Sequence, residues 1–98
     1  MSIKLFTQPQ CPYCDVMKKM LDETGYTYYT INCKESPDAL KFVKDRGHRT
    51  VPQLYVDDIH INKKANTTDY TSEELGDLIK QAMENSWPGQ DSGIEGQL

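Results

Sequence analysis

Two cysteines separated by two residues, Cys11 and Cys14, are the side chains whose spacing could do chemistry. They follow a short apolar run at residues 3–7 and stand where a helical pattern begins. A helix N-terminus has unpaired N–H groups and a partial positive charge, and both stabilise a thiolate. The second cysteine lies close enough to the first to form a disulfide with it. We therefore predict dithiol–disulfide chemistry, with Cys11 as the attacking thiolate.

The same cysteine pair could instead form a static disulfide or half of a zinc site. Three cysteines, an odd number, do not suggest the disulfide framework of a secreted protein. The sequence has no second Cys-x-x-Cys, and His48 and His60 are isolated from each other, so a zinc site has little support. We expect no bound metal, and we expect Cys33 to be a packed small residue.

The elements that must position the cysteines follow from apolar periodicity and from helix start and stop signals. Helices are predicted to begin at Pro12, at the N-cap Ser36 and at a capping box that starts with Thr71. Gly25 and Gly47 are predicted to end the first two helices. Strands are predicted at residues 3–7, 27–32, 54–56 and 59–61, with a polar loop at 62–70.

The predicted order is β-α-β-α-β-β-α. One βαβ unit followed by a hairpin implies an α/β fold, with a mixed four-stranded sheet flanked by three helices on both faces. We predict one domain at residues 1–86 and a flexible tail at 87–98, which is rich in Gly, Gln and acidic residues.

The composition limits the setting of the chain. Its 98 residues carry a formal net charge of −4 without a basic block, which argues against nucleic acid as a partner. The first residues contain no long apolar stretch, so we expect neither a signal peptide nor a membrane partner. Few cysteines and a redox-competent pair suit a reducing compartment, and we expect a cytoplasmic monomer.

Two motifs give the chain a resemblance to the glutaredoxins, which have the thioredoxin fold. They are Cys11-Pro12-Tyr13-Cys14 after the first strand and Thr50-Val51-Pro52-Gln53 before the third, and the resemblance covers residues 2–83. It implies reduction of protein disulfides and glutathione mixed disulfides, with glutathione as co-substrate and no bound cofactor. It also implies that Cys11 is the nucleophile and Cys14 the resolving thiol.

The resemblance further assigns the walls of a glutathione groove. Tyr13 would flank it, and Thr50, Val51 and Pro52 would shape it. Pro52 matches the cis-proline of the family, and a cis bond would turn the backbone of Val51 toward the Cys11 sulfur.

The chain departs from the family pattern at two places. Many members carry Lys or Arg where Gln8 stands, and Gly-Gly followed by an acid where residues 62–69 stand. We expect Asp69 to take the role of the acid if the loop folds back. The candidates for the replaced cation are Lys63, Lys64 and Arg49.

Two other functions remain open at this point. One is a glutaredoxin-like redoxin that is reduced by thioredoxin reductase and donates electrons to ribonucleotide reductase. The other is a non-enzymatic carrier of metal or of an iron–sulfur cluster that uses Cys11. The expected partners are glutathione and disulfide-containing or glutathionylated proteins, with ribonucleotide reductase as a candidate.

Overall fold

The computed structural model describes residues 2–64 and 66–86 of the chain. Its strands are β1 (Ile3–Thr7), β2 (Tyr29–Asn32), β3 (Gln53–Val56) and β4 (Ile59–His60). Its α-helices are α1 (Pro12–Thr24), α2 (Pro37–Asp45) and α3 (Ser72–Ser86). The order β-α-β-α-β-β-α confirms the predicted α/β fold class. The predicted tail at 87–98 lies outside the described residues, so the domain boundary stays a prediction.

The four strands form one mixed sheet in the order β2-β1-β3-β4. β1 runs parallel to β2 and antiparallel to β3, and β3 forms a hairpin with β4. The register places Phe6 opposite Gln53. The end of β1, which leads to Cys11, therefore lies beside the start of β3, which follows Pro52. This pairing brings together two motifs about forty residues apart in the chain.

The alternation of side chains along the strands divides the core between the two faces of the sheet. Leu5 and Leu54 point toward α1 and α3, and their cluster contains the helix residues Met17, Met20, Leu21, Leu75, Ile79 and Ala82. Phe6 and Tyr55 point toward α2, together with Cys33, Ala39 and Val43. Fully burying one side chain of this size contributes about 1.5–3 kcal/mol. The buried face of α1 therefore fixes the helix that carries the cysteines.

The helix ends follow the predicted signals. Gly25 has φ +82° and Gly47 has φ +84°, a left-handed conformation that favours glycine. Ser36 Oγ accepts the N–H of Ala39 at 3.3 Å, which confirms it as an N-cap. Thr71 Oγ1 likewise accepts an N–H from the first turn of α3 at 3.1 Å.

Four details differ from the sequence expectation, the first being that β3 begins at Gln53 rather than at residue 54. β2 begins at Tyr29 rather than at residue 27, and β4 ends at His60 rather than at residue 61. The expected polar loop contains a 3-10 turn at Thr67–Asp69. The strand bounds differ by only one or two residues, which is common at element ends. Within the described residues, no helix is long and apolar enough to cross a membrane.

Candidate active site

The sulfur of Cys11 forms the N-cap of α1. Cys11 has an extended backbone, with φ −113° and ψ 100°, and its Sγ accepts the backbone N–H of Cys14 at 3.2 Å. Pro12 occupies the first helical position, where its missing N–H removes no helix hydrogen bond. The Cys11 side chain is partly exposed, and the cysteines are free thiols. An accessible sulfur thus receives a hydrogen bond from the positive end of a helix.

Cys14 lies in a different environment, since only 1% of its surface is exposed. Burial raises the pKa of Cys14 to about 12, and a hydrogen bond with the Cys11 side chain contributes in the same direction. A hydrogen bond from the backbone of Gln8 opposes the rise. Cys14 therefore stays a protonated thiol at neutral pH. The two cysteines therefore differ in their access to solvent.

The loop before β3 forms the second side of the site. The Val51–Pro52 peptide bond is cis, which confirms the sequence expectation. The Cys11 thiol lies 3.8 Å from the carbonyl oxygen of Val51, within hydrogen-bond range for sulfur. The Val51 backbone thus faces the accessible sulfur directly.

A groove of about 380 Å³ extends from this loop. Its walls include Tyr13, His48, Thr50, Val51, Pro52, Gln53, His60, Asn62, Lys63, Lys64, Asn66 and Thr67. The structure thus brings together four of the residues that the sequence assigned to a binding site, Tyr13 and residues 50–52. Tyr13 is 56% exposed, which leaves its ring free to contact a bound molecule.

The structure places the other two predicted binding residues away from these walls. Gln8 is exposed and acts on the site through its backbone, at Cys14. Asp69 ends the 3-10 turn, is exposed, and its carbonyl accepts a hydrogen bond from Lys64 Nζ at 3.2 Å. Contacts of these two side chains with glutathione stay a prediction.

The two neighbouring lysines of the groove differ in their partners. Lys64 Nζ forms an ion pair with Glu74 at 2.8 Å, and the backbone N–H of Lys64 donates to the Tyr70 hydroxyl. The hydrogen bond with Glu74 raises the pKa of Lys64. The Lys63 side chain has no hydrogen bond or ion pair with any described residue. Because the described residues of the groove wall include no acid, Lys63 is the uncompensated cation there.

Sequence reasoning missed a pair of histidines in the groove. The rings of His48 and His60 lie 4.5 Å apart between centroids. His48 Nε2 is hydrogen-bonded to the hydroxyl of Tyr55, and His60 Nε2 to Gln53 Oε1 at 2.8 Å. Burial lowers the pKa of both histidines. The charge of Arg46 lowers the pKa of His48 further, and the charge of His48 lowers the pKa of His60 further. The available signal was the hairpin register, which pairs His60 with Tyr55.

Sequence reasoning also missed that Asn62 contacts the loop before β3. This side chain is buried, with 8% of its surface exposed. Its Nδ2 donates to the carbonyl of Pro52 at 2.9 Å, and its Oδ1 accepts the N–H of Leu54 at 2.8 Å. No local pattern distinguished this residue from the polar segment that follows it. Among the residues that the structure describes, no three metal-ligating side chains converge on one point.

The chain is similar to known proteins in both sequence and fold. The family model for glutaredoxin matches residues 3–61. Glutaredoxin 1 of Rickettsia felis is 36% identical over 63 residues, which is 61% of this chain and 62% of that protein. The chain therefore matches less than two thirds of that relative's length.

Solved structures show the same architecture. NrdH-redoxin from Escherichia coli superimposes with a TM-score of 0.64 at 20% identity, over 80% of this chain and 95% of that one. Buckwheat glutaredoxin superimposes with a TM-score of 0.60 at 23% identity, over 83% and 78% of the two chains. With this thioredoxin-like fold and the match to the family model over most of its length, the chain belongs to the glutaredoxin family.

Proposed function

We propose that the chain is a glutathione-dependent thiol–disulfide oxidoreductase that reduces protein disulfides and glutathione mixed disulfides through Cys11 and Cys14. The observation that carries the proposal is the asymmetry of the two thiols. Cys11 is accessible and accepts a helix N–H, whereas Cys14 is buried and protonated beneath it. An attacking thiol must be reachable, and a resolving thiol must be close and protected from other substrates.

The first exchange step uses Cys11 alone. Its thiolate attacks the glutathione sulfur of a mixed disulfide, and the substrate S–S bond breaks as a new S–S bond forms. The leaving thiolate of the substrate takes up a proton. A free glutathione thiolate then attacks the mixed disulfide on Cys11, which releases oxidised glutathione and regenerates the reduced protein.

Protein disulfides require Cys14 in addition. After Cys11 has formed a mixed disulfide with the protein, its charge and its hydrogen bond no longer raise the pKa of Cys14. Cys14 then attacks the Cys11 sulfur and expels the protein thiolate, and the proton of Cys14 passes to that thiolate. The resulting Cys11–Cys14 disulfide takes two electrons from two glutathione molecules.

The groove supports glutathione as the co-substrate, without a bound cofactor. Glutathione is an anion at neutral pH, and Lys63 supplies an uncompensated positive charge to the groove that Val51 also lines. Tyr13, Thr50 and Pro52 complete the walls around the peptide. Buckwheat glutaredoxin, which shares the fold, forms a complex with glutathione. The reducing cytoplasm is the setting that we propose, since the dithiol must be regenerated there.

One alternative keeps the chemistry and changes the reductant. The Escherichia coli NrdH-redoxin is a glutaredoxin-like protein with a thioredoxin-like activity profile. Here Lys64 is paired with Glu74, which leaves fewer free cations for glutathione. A redoxin that is reduced by thioredoxin reductase and serves ribonucleotide reductase would need no glutathione site. A metal or cluster carrier, the second alternative, would be coloured or contain metal after purification.

The test measures NADPH consumption on a glutathionylated peptide, with glutathione and glutathione reductase in one arm and thioredoxin reductase in the other. We expect turnover in the glutathione arm. Cys11→Ser should abolish it, and Cys14→Ser should keep deglutathionylation but lose reduction of protein disulfides. Turnover that persists in Cys11→Ser would overturn the mechanism. Turnover confined to the thioredoxin reductase arm, with a disulfide substrate, would select the alternative reductant.

A further inference from the structure

After the last backbone hydrogen bond between β3 and the β4 segment, the side chain of Asn62 makes the next hydrogen bonds to the backbone at the start of β3. The N–H of Ile61 donates to the carbonyl of Leu54 at 2.9 Å, and then the chain leaves the sheet. The next hydrogen bonds of β3 come from the side chain of Asn62, which accepts the N–H of Leu54 and donates to the carbonyl of Pro52. A carboxamide carries the same donor and acceptor as a peptide group. Asn62 therefore replaces the strand partner that β3 would otherwise lack.

This replacement bears directly on the reactive sulfur. Pro52 is bonded through its nitrogen to Val51, and the Val51 carbonyl lies 3.8 Å from Cys11 Sγ. The carbonyl of Pro52 faces the Asn62 amide at 2.9 Å. Pro52 and Asn62 are both buried, so water is a poor substitute partner at this point. One side chain thus restrains the segment that forms the wall opposite Cys11.

We propose that Asn62 is a positioning residue for thiol–disulfide exchange at Cys11. It holds Pro52, and through Pro52 the Val51 backbone, at the distance from the Cys11 sulfur that the bound disulfide requires. The inference rests on the proposed function, because it assigns Asn62 to the same exchange reaction. A displacement of about 1 Å in such a wall can slow a bound reaction by up to about a hundredfold.

The two hydrogen bonds of Asn62 can be separated by substitution. Asn62→Asp keeps an oxygen for the N–H of Leu54 but, when ionised, has no donor for the carbonyl of Pro52. Asn62→Ala removes both bonds without adding a charge. Asn32→Asp is the matched control, because Asn32 also accepts a backbone N–H, from Lys34 at 2.9 Å, and lies outside the groove walls described above.

The experiment follows single-turnover reactions of the reduced full-length protein, which need no external reductant. One substrate is a glutathionylated peptide, which must lie in the groove. The other is iodoacetamide, which reaches the Cys11 sulfur without the groove. Thermal unfolding of each variant shows that it is folded at the assay temperature.

We expect both Asn62 variants to react roughly tenfold to a hundredfold more slowly with the peptide. Their rates with iodoacetamide should stay within about twofold of wild type, and Asn32→Asp should match wild type with both reagents. Equal peptide rates in wild type and in the Asn62 variants would overturn the positioning role. A slower peptide reaction in Asn62→Asp but not in Asn62→Ala would also overturn it, because it would be an effect of the added charge. The same holds if the Asn62 variants react with iodoacetamide as slowly, relative to wild type, as they do with the peptide. A wild-type protein that does not react with the peptide would instead refute the proposed function.

Discussion

The backbone N–H of Cys14 donates to the sulfur of Cys11 at 3.2 Å, so the proposed nucleophile is also the N-cap of α1. An N-cap side chain normally satisfies one of the unpaired N–H groups of the first helical turn. Here a sulfur does so, and a negative charge on that sulfur would strengthen the bond. Cys11 thus has a structural role at the start of α1 in addition to the chemical role that we propose for it.

The asymmetry of the cysteines predicts selective alkylation. At pH 7, iodoacetamide should modify Cys11 in the native protein and leave Cys14 and Cys33 unmodified. The latter two are 1% and 2% exposed, and burial raises the pKa of both thiols. Peptide mass spectrometry after a short reaction locates the label, and the same reaction in denaturant should modify all three cysteines. Modification of Cys14 or Cys33 before Cys11 would contradict the assignment.

The free lysine of the groove predicts a charge-dependent Michaelis constant. Lys63→Gln should raise the KM for glutathione about threefold to tenfold, because a partly screened charge pair contributes about 1 kcal/mol. The effect should shrink as the salt concentration rises. Lys80→Gln, an equal loss of charge at an exposed position of α3, is the control. Equal KM values in the two variants would show that Lys63 does not contact the anion.

The histidine pair predicts that the protein loses stability in weak acid. The pKa values of His48 and His60 lie below the ordinary 6.5 in the folded protein. As the pH falls through about 6.5, the unfolded chain takes up protons before the folded one does. The free energy of unfolding contributed by these groups is therefore fully present above pH 6.5 and is lost as the pH falls further.

Urea unfolding at several pH values between 8 and 5, for wild type and for the variant with both histidines replaced by Asn, measures this contribution. The stability of wild type relative to the variant should decrease toward pH 5. If the stability of wild type relative to the variant increased toward pH 5, protonation of the histidines would stabilise the fold, which is opposite to the sign expected from their burial.

Two glycines predict opposite effects of the same substitution. Gly25→Ala should destabilise the protein by about 1–2 kcal/mol, because at φ +82° a Cβ comes too close to the following carbonyl oxygen. Gly76→Ala in the interior of α3 should stabilise it by up to about 1 kcal/mol, since its Cβ would meet Thr24 Cγ2 at an ordinary 3.8 Å. Urea denaturation of both variants gives the comparison, and equal signs would contradict the backbone argument.

Local signals in the sequence were enough to predict the order of elements and the placement of the cysteines. The start of α1 follows from Pro12, the ends of α1 and α2 from Gly25 and Gly47, and the start of α2 from Ser36. Each of these signals acts within one helical turn, so it can be recognised without knowledge of the fold. The burial of Cys33 also followed from its apolar character.

The limits of local reasoning appear in the loop that precedes α3. Glu74 was predicted to complete a capping box with Thr71, yet its carboxylate forms an ion pair with Lys64, ten residues earlier. This ion pair neutralises the charge of Lys64, so Lys63 is the groove lysine without an acidic partner among the described residues. Neither the position of Asp69 outside the groove walls nor the 3-10 turn could be predicted, since both depend on how the loop packs against α1.

The sequence by itself predicted the fold class and the proposed cysteine pair from residue type and spacing within short segments, and it predicted the cis bond at Pro52 from the resemblance to the glutaredoxins. Only the tertiary structure decided which residues complete the groove. His48 meets His60 because the C-terminal end of α2 lies against the hairpin, and Asn62 meets Pro52 because β4 ends before it reaches the first residues of β3. Such contacts depend on strand register and on where elements stop, and these are set by the packing of the whole core rather than by any local pattern.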